Sequence, residues 1–244
     1  MPVIALITGG NRGLGLATAH ALAERGAHVI VGARDDVAGR DAADELRAAG
    51  ASADHVVMDV DEPDSVRSAA AHVNRVHGRL DVLVNNAGIL PEATADPVEV
   101  VDAELFRRTF ATNVFGAVST IEAFLPLLRT SGGARIVNVS STMGSLADQT
   151  DPGSPYYGTV VPAYQASKAA LNSVTIGLSK LLADTGVVVT SVCPGFVQTD
   201  LAPTAREQAP LTADQAAVVV AGAALAPVGT PSGRFVDAAG DVAW

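Results

Sequence analysis

The stretch Val3-Ile-Ala-Leu-Ile-Thr-Gly-Gly-Asn-Arg-Gly-Leu-Gly-Leu16 decides the reading of this chain. Its aliphatic run, Val3 to Ile7, reads as a strand buried on both faces. The run stops at Thr8-Gly9-Gly10, and a helical apolar pattern begins near Leu14 and continues through Ala17, Ala21 and Leu22. Strand, glycine-rich turn and helix together bring a helix N-terminus and its unpaired N–H groups up to a phosphate. Gly9, Gly13 and Gly15 remove a Cβ where the chain must turn, approach a pyrophosphate or pack helix on strand. The spacing is G-x-x-x-G-x-G rather than the general dinucleotide pattern G-x-G-x-x-G.

The rest of the chain repeats the alternation. Strands are expected at His28–Val31, Ala53–Met58, Leu80–Val84, Arg135–Val139, Val187–Val192 and Gly233–Val236. Helices are expected at Asp36–Ala49, Pro63–His77, Val98–Arg129, Pro162–Asp184 and Ala213–Ala226, with a first helix ending near Gly26. A Pro-bearing loop, Pro91 to Pro97, and a Gly/Pro/Asp/Ser-rich loop, Gly144 to Pro155, separate some of them. Such alternation predicts an α/β architecture: a Rossmann-like, doubly wound, seven-stranded parallel sheet flanked by helices, forming a single domain over residues 1–244.

Composition narrows the function classes. With 48% apolar and 17% charged residues, the chain is globular rather than disordered. A net charge of −10 argues against a nucleic-acid footprint or a polybasic membrane surface. The single cysteine, Cys193, leaves no intrachain disulfide framework and fits a reducing compartment. The chain enters a strand without a leader-like segment, and no apolar run reaches the length of a membrane span. A cytoplasmic location is expected. His20, His28, His55, His72 and His77 show no metal-ligand spacing, so no metal site is expected.

Six segments in order resemble the short-chain dehydrogenase/reductase family over nearly the whole chain. They are Thr8-Gly-Gly-Asn-Arg-Gly-Leu-Gly15, Asn85-Asn-Ala-Gly88, Thr112-Asn113, Val139-Ser-Ser141, Tyr164-Gln-Ala-Ser-Lys168 and Pro194-Gly195. Within it, Gly32-Ala-Arg-Asp35, Cys193-Pro-Gly-Phe-Val-Gln-Thr-Asp200 and the tail from Gly233 to Trp244 look like the NADPH-dependent carbonyl reductases.

The chemistry is legible beside the resemblance. Tyr164 and Lys168 stand at i and i+4, one turn apart on one helix face. A free tyrosine titrates near pH 10, and a neighbouring ammonium favours its phenolate, so the pair is expected to be tuned toward working pH. Tyr156 and Tyr157 have Val160 and Val161 four residues on and lack this partner. The resemblance implies that Ser141, three residues after the strand asparagine Asn138, holds the carbonyl oxygen; Ser140 would face the other way. The resemblance implies that Asn113 holds a water relaying protons to Lys168, and that Lys168 also bonds the nicotinamide ribose.

For the cofactor, Gly9, Asn11, Arg12, Gly13, Leu14 and Gly15 form the expected phosphate turn. An NAD-selecting site of this fold places an acid at the end of the second strand, where Ala33 and then Arg34 stand here. Arg34 and Arg12 suit a 2′-phosphate, so NADPH is expected over NADH, with Asp35 as the complication. The resemblance places Asp59 and Val60 at the adenine and Asn86, Ala87 and Gly88 at its ribose. It puts Pro194, Gly195, Val197 and Thr199 around the nicotinamide.

The expected activity is NADPH-dependent reduction of a ketone or aldehyde. A secondary-alcohol dehydrogenase and a non-catalytic NADP(H)-binding regulator remain alternatives. The partner is a small molecule, neither nucleic acid nor membrane, and the family resemblance implies a homodimer or homotetramer. The 22 residues between Ser141 and Tyr164 place Asp148–Pro155 over either the cleft or a subunit surface. The short stretch from Pro194 to Ala213 predicts an open pocket.

Overall fold

The computed structural model describes residues 2–95 and 101–244. Its centre is one sheet of order β3-β2-β1-β4-β5-β6-β7-β8. The strands are β1 (Ile4–Thr8), β2 (His28–Ala33), β3 (Ala53–Val57), β4 (Val82–Asn85), β5 (Arg135–Val139), β6 (Val188–Val192), β7 (Arg234–Asp237) and β8 (Gly240–Asp241). The helices are α1 (Gly13–Ala23), α2 (Asp36–Ala48), α3 (Pro63–His77), α4 (Ala103–Phe110), α5 (Ala117–Arg129), α6 (Leu146–Gln149), α7 (Pro162–Leu181), α8 (Ala205–Gln208) and α9 (Ala213–Ala224).

β1 to β7 run parallel, as the buried aliphatic runs predict, but the sheet has an eighth strand. β8 pairs antiparallel with β7, with Val236 opposite Asp241. A two-residue strand closing a tight hairpin has no period to read, which is why seven strands were expected. Asp237 Oδ1 accepts from the Ala239 and Gly240 amides at 2.7 and 3.1 Å and holds that turn.

Side-chain alternation makes the two faces. Ile4 and Leu6 join Ile30, Leu83, Ile136, Phe124 and Leu128 in one core beneath α3 and α5. Ala5 and Ile7 join Val29, Val84, Val137, Leu22, Leu46 and Val220 in the other, beneath α1, α2 and α9. A strand whose neighbours all point into apolar layers must be apolar throughout, hence the unbroken run in β1. The strand order reverses between β1 and β4, so a crevice opens beyond their carboxyl ends.

The long helix expected from Val98 differs. Val98 and the loop end Pro97 lie outside the described residues. Among these, α4 and α5 are joined through a π-helical segment, Ala111–Gly116, that contains Asn113. The combined helix, Ala103–Arg129, has the length and composition of a membrane span, although no single apolar run in it is that long. Phe124 and Leu128 are fully buried against the sheet, so its apolar face is already occupied by core. The expected helix to Asp184 ends at Leu181, followed by a 3₁₀ turn at Ala183–Thr185.

Candidate active site

The turn after β1 has the shape a pyrophosphate requires. Gly9 and Gly13 adopt φ of +61° and +54°. A Cβ on Gly15 would lie 2.2 Å from the Gly9 carbonyl oxygen, so no side chain fits there. α1 begins at Gly13 with no side-chain cap and no acid in its first turn, which leaves its positive end to an anion. The chain's residues therefore fit a dinucleotide. Asn11, Arg12 and Leu14 stand in the same turn, and exposed Arg12 lies 3.8 Å from Asp200.

Thr8, quoted in the glycine motif but given no role there, ties two loops together. Its hydroxyl accepts from the Asn86 and Ala87 amides, both at 2.9 Å. Asn86 Nδ2 donates to the Thr8 and Gly9 carbonyls at 2.8 and 3.2 Å, so this side chain holds the glycine turn. After β3, Asp59 Oδ1 accepts from the Asp61 amide (3.1 Å), and Asp61 accepts from Thr112 (3.0 Å). A Cβ on Gly116 would touch Val60 at 3.0 Å, so the π-helical segment packs directly on Val60. Arg34 is exposed at the end of β2. Asp35 caps α2, its carboxylate accepting from the Ala38 amide at 2.8 Å.

α7 carries Tyr164 and Lys168 and is registered on the sheet by a buried polar rung. Asn85 donates to Asn138 (2.9 Å), and Asn138 and Ser191 donate to Thr175 on α7 (2.9 and 2.8 Å). Tyr164 and Lys168 are both buried, with Lys168 Nζ 5.5 Å from the phenol ring centroid. The Ser141 side chain stands beside the Tyr164 hydroxyl and eases its ionisation. Ser140 points elsewhere, toward the Lys168 carbonyl at 3.5 Å. Lys168 Nζ donates to the Val139 carbonyl at 2.8 Å.

Burial, not the ammonium, dominates the titration. It pushes the Tyr164 phenol upward; Cys193 adds to the rise and Ser141 pulls back. Burial likewise brings Lys168 down to about 8. The expectation of a phenol drawn toward neutral pH is thus reversed, because both groups leave water together. The protonated phenol is a donor.

Asn113 and Glu92 strap the segment after β4. Asn113 Oδ1 accepts from the Ile89 amide (2.8 Å), while its Nδ2 donates to the Ile89 carbonyl and to Ser167 (both 3.0 Å). The π-helical bulge turns this otherwise unfavourable mid-helix asparagine inward. Gly88 lies between, where a Cβ would be 3.4 Å from Asn113 Oδ1 and 3.6 Å from Lys168 Nζ. Glu92 accepts from the Ala163 and Tyr164 amides at 2.9 and 2.8 Å. α7 has no side-chain cap of its own, and that missing partner was the one signal for Glu92.

The segment after β6 folds back over the glycine turn. A Cβ on Gly13 would lie 3.4 Å from Thr199. Buried Val197 bridges Leu211, and α8 occupies what was expected to be a short loop. Between it and the Ser141–Tyr164 segment is a cavity of about 260 Å³, bordered by Pro194, Gly195, Cys193, Leu211, Asp148 and Tyr156. Asp148 and Pro155 both line it. Tyr156 lines it too, and Tyr157 is exposed.

The model of the family described as short chain dehydrogenase matches residues 3–210. The chain belongs to this family. Like other short-chain dehydrogenases it is an oxidoreductase acting on carbonyl or alcohol groups. It is 37% identical over 203 residues to short-chain dehydrogenase anuI of Penicillium roqueforti, covering 81% of this chain and 79% of that one. It is 32% identical over 252 residues to a (+)-neomenthol dehydrogenase of Arabidopsis thaliana, covering 82% and 84%. Among solved structures, NADPH-bound carbonyl reductase from chicken fatty liver superposes with a TM-score of 0.85 at 28% identity, and both chains are covered completely.

Proposed function

We propose that this short-chain dehydrogenase reduces a ketone or aldehyde with NADPH. The observation that carries the reading is the buried Tyr164 beside Ser141, with the Lys168 ammonium one turn behind, 5.5 Å from the phenol ring centroid. When bound, NADPH supplies a hydride to the carbonyl carbon. Ser141 and Tyr164 hold the carbonyl oxygen as negative charge builds on it, and Tyr164 passes its proton to that oxygen. Lys168 offsets the phenolate left behind. Oxidation of an alcohol would run the same path in reverse and begin from the phenolate.

NADPH over NADH rests on exposed Arg34 and Arg12, on Ala33 where an acid would serve NADH, and on the engagement of Asp35 in capping α2. The cavity of about 260 Å³ beside the site, which we take as the substrate pocket, is lined by Asp148 and Asp237 with no cationic side chain among its described lining residues. Neutral carbonyl compounds suit it better than carboxylates. Exposed Phe115 and Val118 on the α4–α5 helix offer a face for pairing two copies.

The test is NADPH consumption, and separately NADH consumption, with aldehydes, aryl ketones, diketones and quinones. Turnover with NADPH is expected. Tyr164→Phe should lower kcat by about 10²–10⁴-fold and leave NADPH binding intact. Full turnover in Tyr164→Phe would refute the assignment, and tight NADPH binding without turnover on any carbonyl would favour a regulator.

A further inference from the structure

At the opposite, N-terminal end of the strands, three residues far apart in sequence converge. His28 opens β2, Asp54 lies near the start of β3 and His77 ends α3. His28 Nε2 is 3.1 Å and His77 Nε2 is 3.3 Å from the same oxygen, Asp54 Oδ2. One ligand atom from each residue lies within 4.8 Å of the others. Both imidazoles are largely buried, with side chains 14% exposed, while Asp54 remains open to water. We infer that His28, Asp54 and His77 form a binding site for a zinc-class divalent cation.

Three features favour a cation over a simple hydrogen-bonded trio. A tetrahedral centre with bonds of about 2.0–2.1 Å has ligand–ligand edges of roughly 3.3–3.4 Å, which the two nitrogen–oxygen separations approach. Two nitrogens and one carboxylate oxygen match zinc-class metals, and a water completes the fourth position. His28 also has an outer partner: its Nδ1 lies 2.7 Å from Ser52 Oγ. With the ring proton on Nδ1 and donated to Ser52, the Nε2 lone pair faces the shared oxygen, the orientation a metal requires. Access comes from the water-exposed Asp54, and His77 also borders a hollow of about 360 Å³ lined by Pro2, Ile4, Gly78, Arg79 and Thr130. Separations of 26 and 23 residues carry no ligand-spacing signature, which is why the sequence pattern points to no metal. Bound there, the cation would tie β2, β3 and α3 together.

The full-length protein, stripped with a chelator and free of NADPH, is titrated with Zn²⁺ by calorimetry and with Co²⁺ by visible absorption. One Zn²⁺ per chain is expected, with a Tm that rises with Zn²⁺ concentration, and an intense tetrahedral Co²⁺ band. His77→Gln and His28→Gln should each weaken binding by at least about 100-fold, and Ser52→Ala by about tenfold. The neighbouring surface variant His72→Gln should change nothing. The inference is overturned by no saturable Zn²⁺ binding and only the weak Co²⁺ aquo spectrum in the unmutated protein. Stoichiometric binding that survives in the folded His28→Gln/His77→Gln double variant overturns it equally.

Discussion

Glu92 caps the catalytic helix from 71 and 72 residues away, and its removal is the most informative single change. Helix α7 starts at Pro162, whose missing N–H costs nothing, but the next amides need acceptors. Val161 supplies no side-chain cap, so the Glu92 carboxylate takes the Ala163 and Tyr164 amides. Hydrogen bonds to a charged acceptor contribute about 1.5–3 kcal/mol each when buried. Glu92 is half-exposed, and water replaces part of the loss, which leaves about 2 kcal/mol for Glu92→Ala. For a chain of this size that corresponds to a fall in Tm of about 4–8 °C. Glu92→Gln keeps one amide-accepting oxygen and should lose about half as much.

The catalytic consequence is separable from stability. One of the two capped amides is that of Tyr164 itself, so fraying there moves the phenol relative to Ser141. A displacement of the order of 1 Å costs about 10²-fold. The expected pattern at a temperature where the variant is folded is a kcat lowered about 10–100-fold, with NADPH affinity unchanged. Thermal melting and steady-state kinetics of Glu92→Ala and Glu92→Gln read both quantities. A Tm within about 1 °C of the parent, or a kcat equal to it, would refute the capping argument.

Gly144 stands against α7, where a Cβ would lie 2.6 Å from the Lys168 carbonyl carbon and Cβ. Gly144→Ala should cost about 1–3 kcal/mol and cut kcat, whereas Gly177→Ala, in open space on the same helix, should stabilise by up to about 1 kcal/mol; equal melting temperatures for the two would contradict this. Lys168, brought down to about 8 by burial, loses its charge as pH rises through that value. The kcat/KM for NADPH, which reports the free enzyme, should therefore fall above about pH 8; a profile flat to pH 10 would contradict this. Stability moves the other way. The folded-state value lies below the ordinary 10.5, so the unfolded chain holds the extra proton between them, and the lysine's contribution rises by about 3 kcal/mol from pH 8 to 10.5. Lys168→Met should remove that rise.

The parts of this protein written in local pattern were legible in the sequence. Alternating apolar runs and glycine breaks determine the parallel α/β layering, because each strand must be apolar on whichever faces helices cover. The glycine turn is legible because only a missing Cβ permits φ of +61° at Gly9 and the close approach at Gly15. Tyr164 and Lys168 are legible because a helix brings i and i+4 together whatever surrounds it. Tertiary structure alone decided what depends on partners distant in the chain. Asn86 is spent on the glycine turn, through the Thr8 carbonyl 78 residues away. The two-residue β8 exists only because β7 is there to pair with it. Glu92 finds α7, and His28, Asp54 and His77 find one another, only once crossovers have closed loops that no spacing rule describes. The protonation of Tyr164 belongs to this second class. Its sign is set by how much water the fold removes from phenol and ammonium together, and a sequence motif does not contain that quantity.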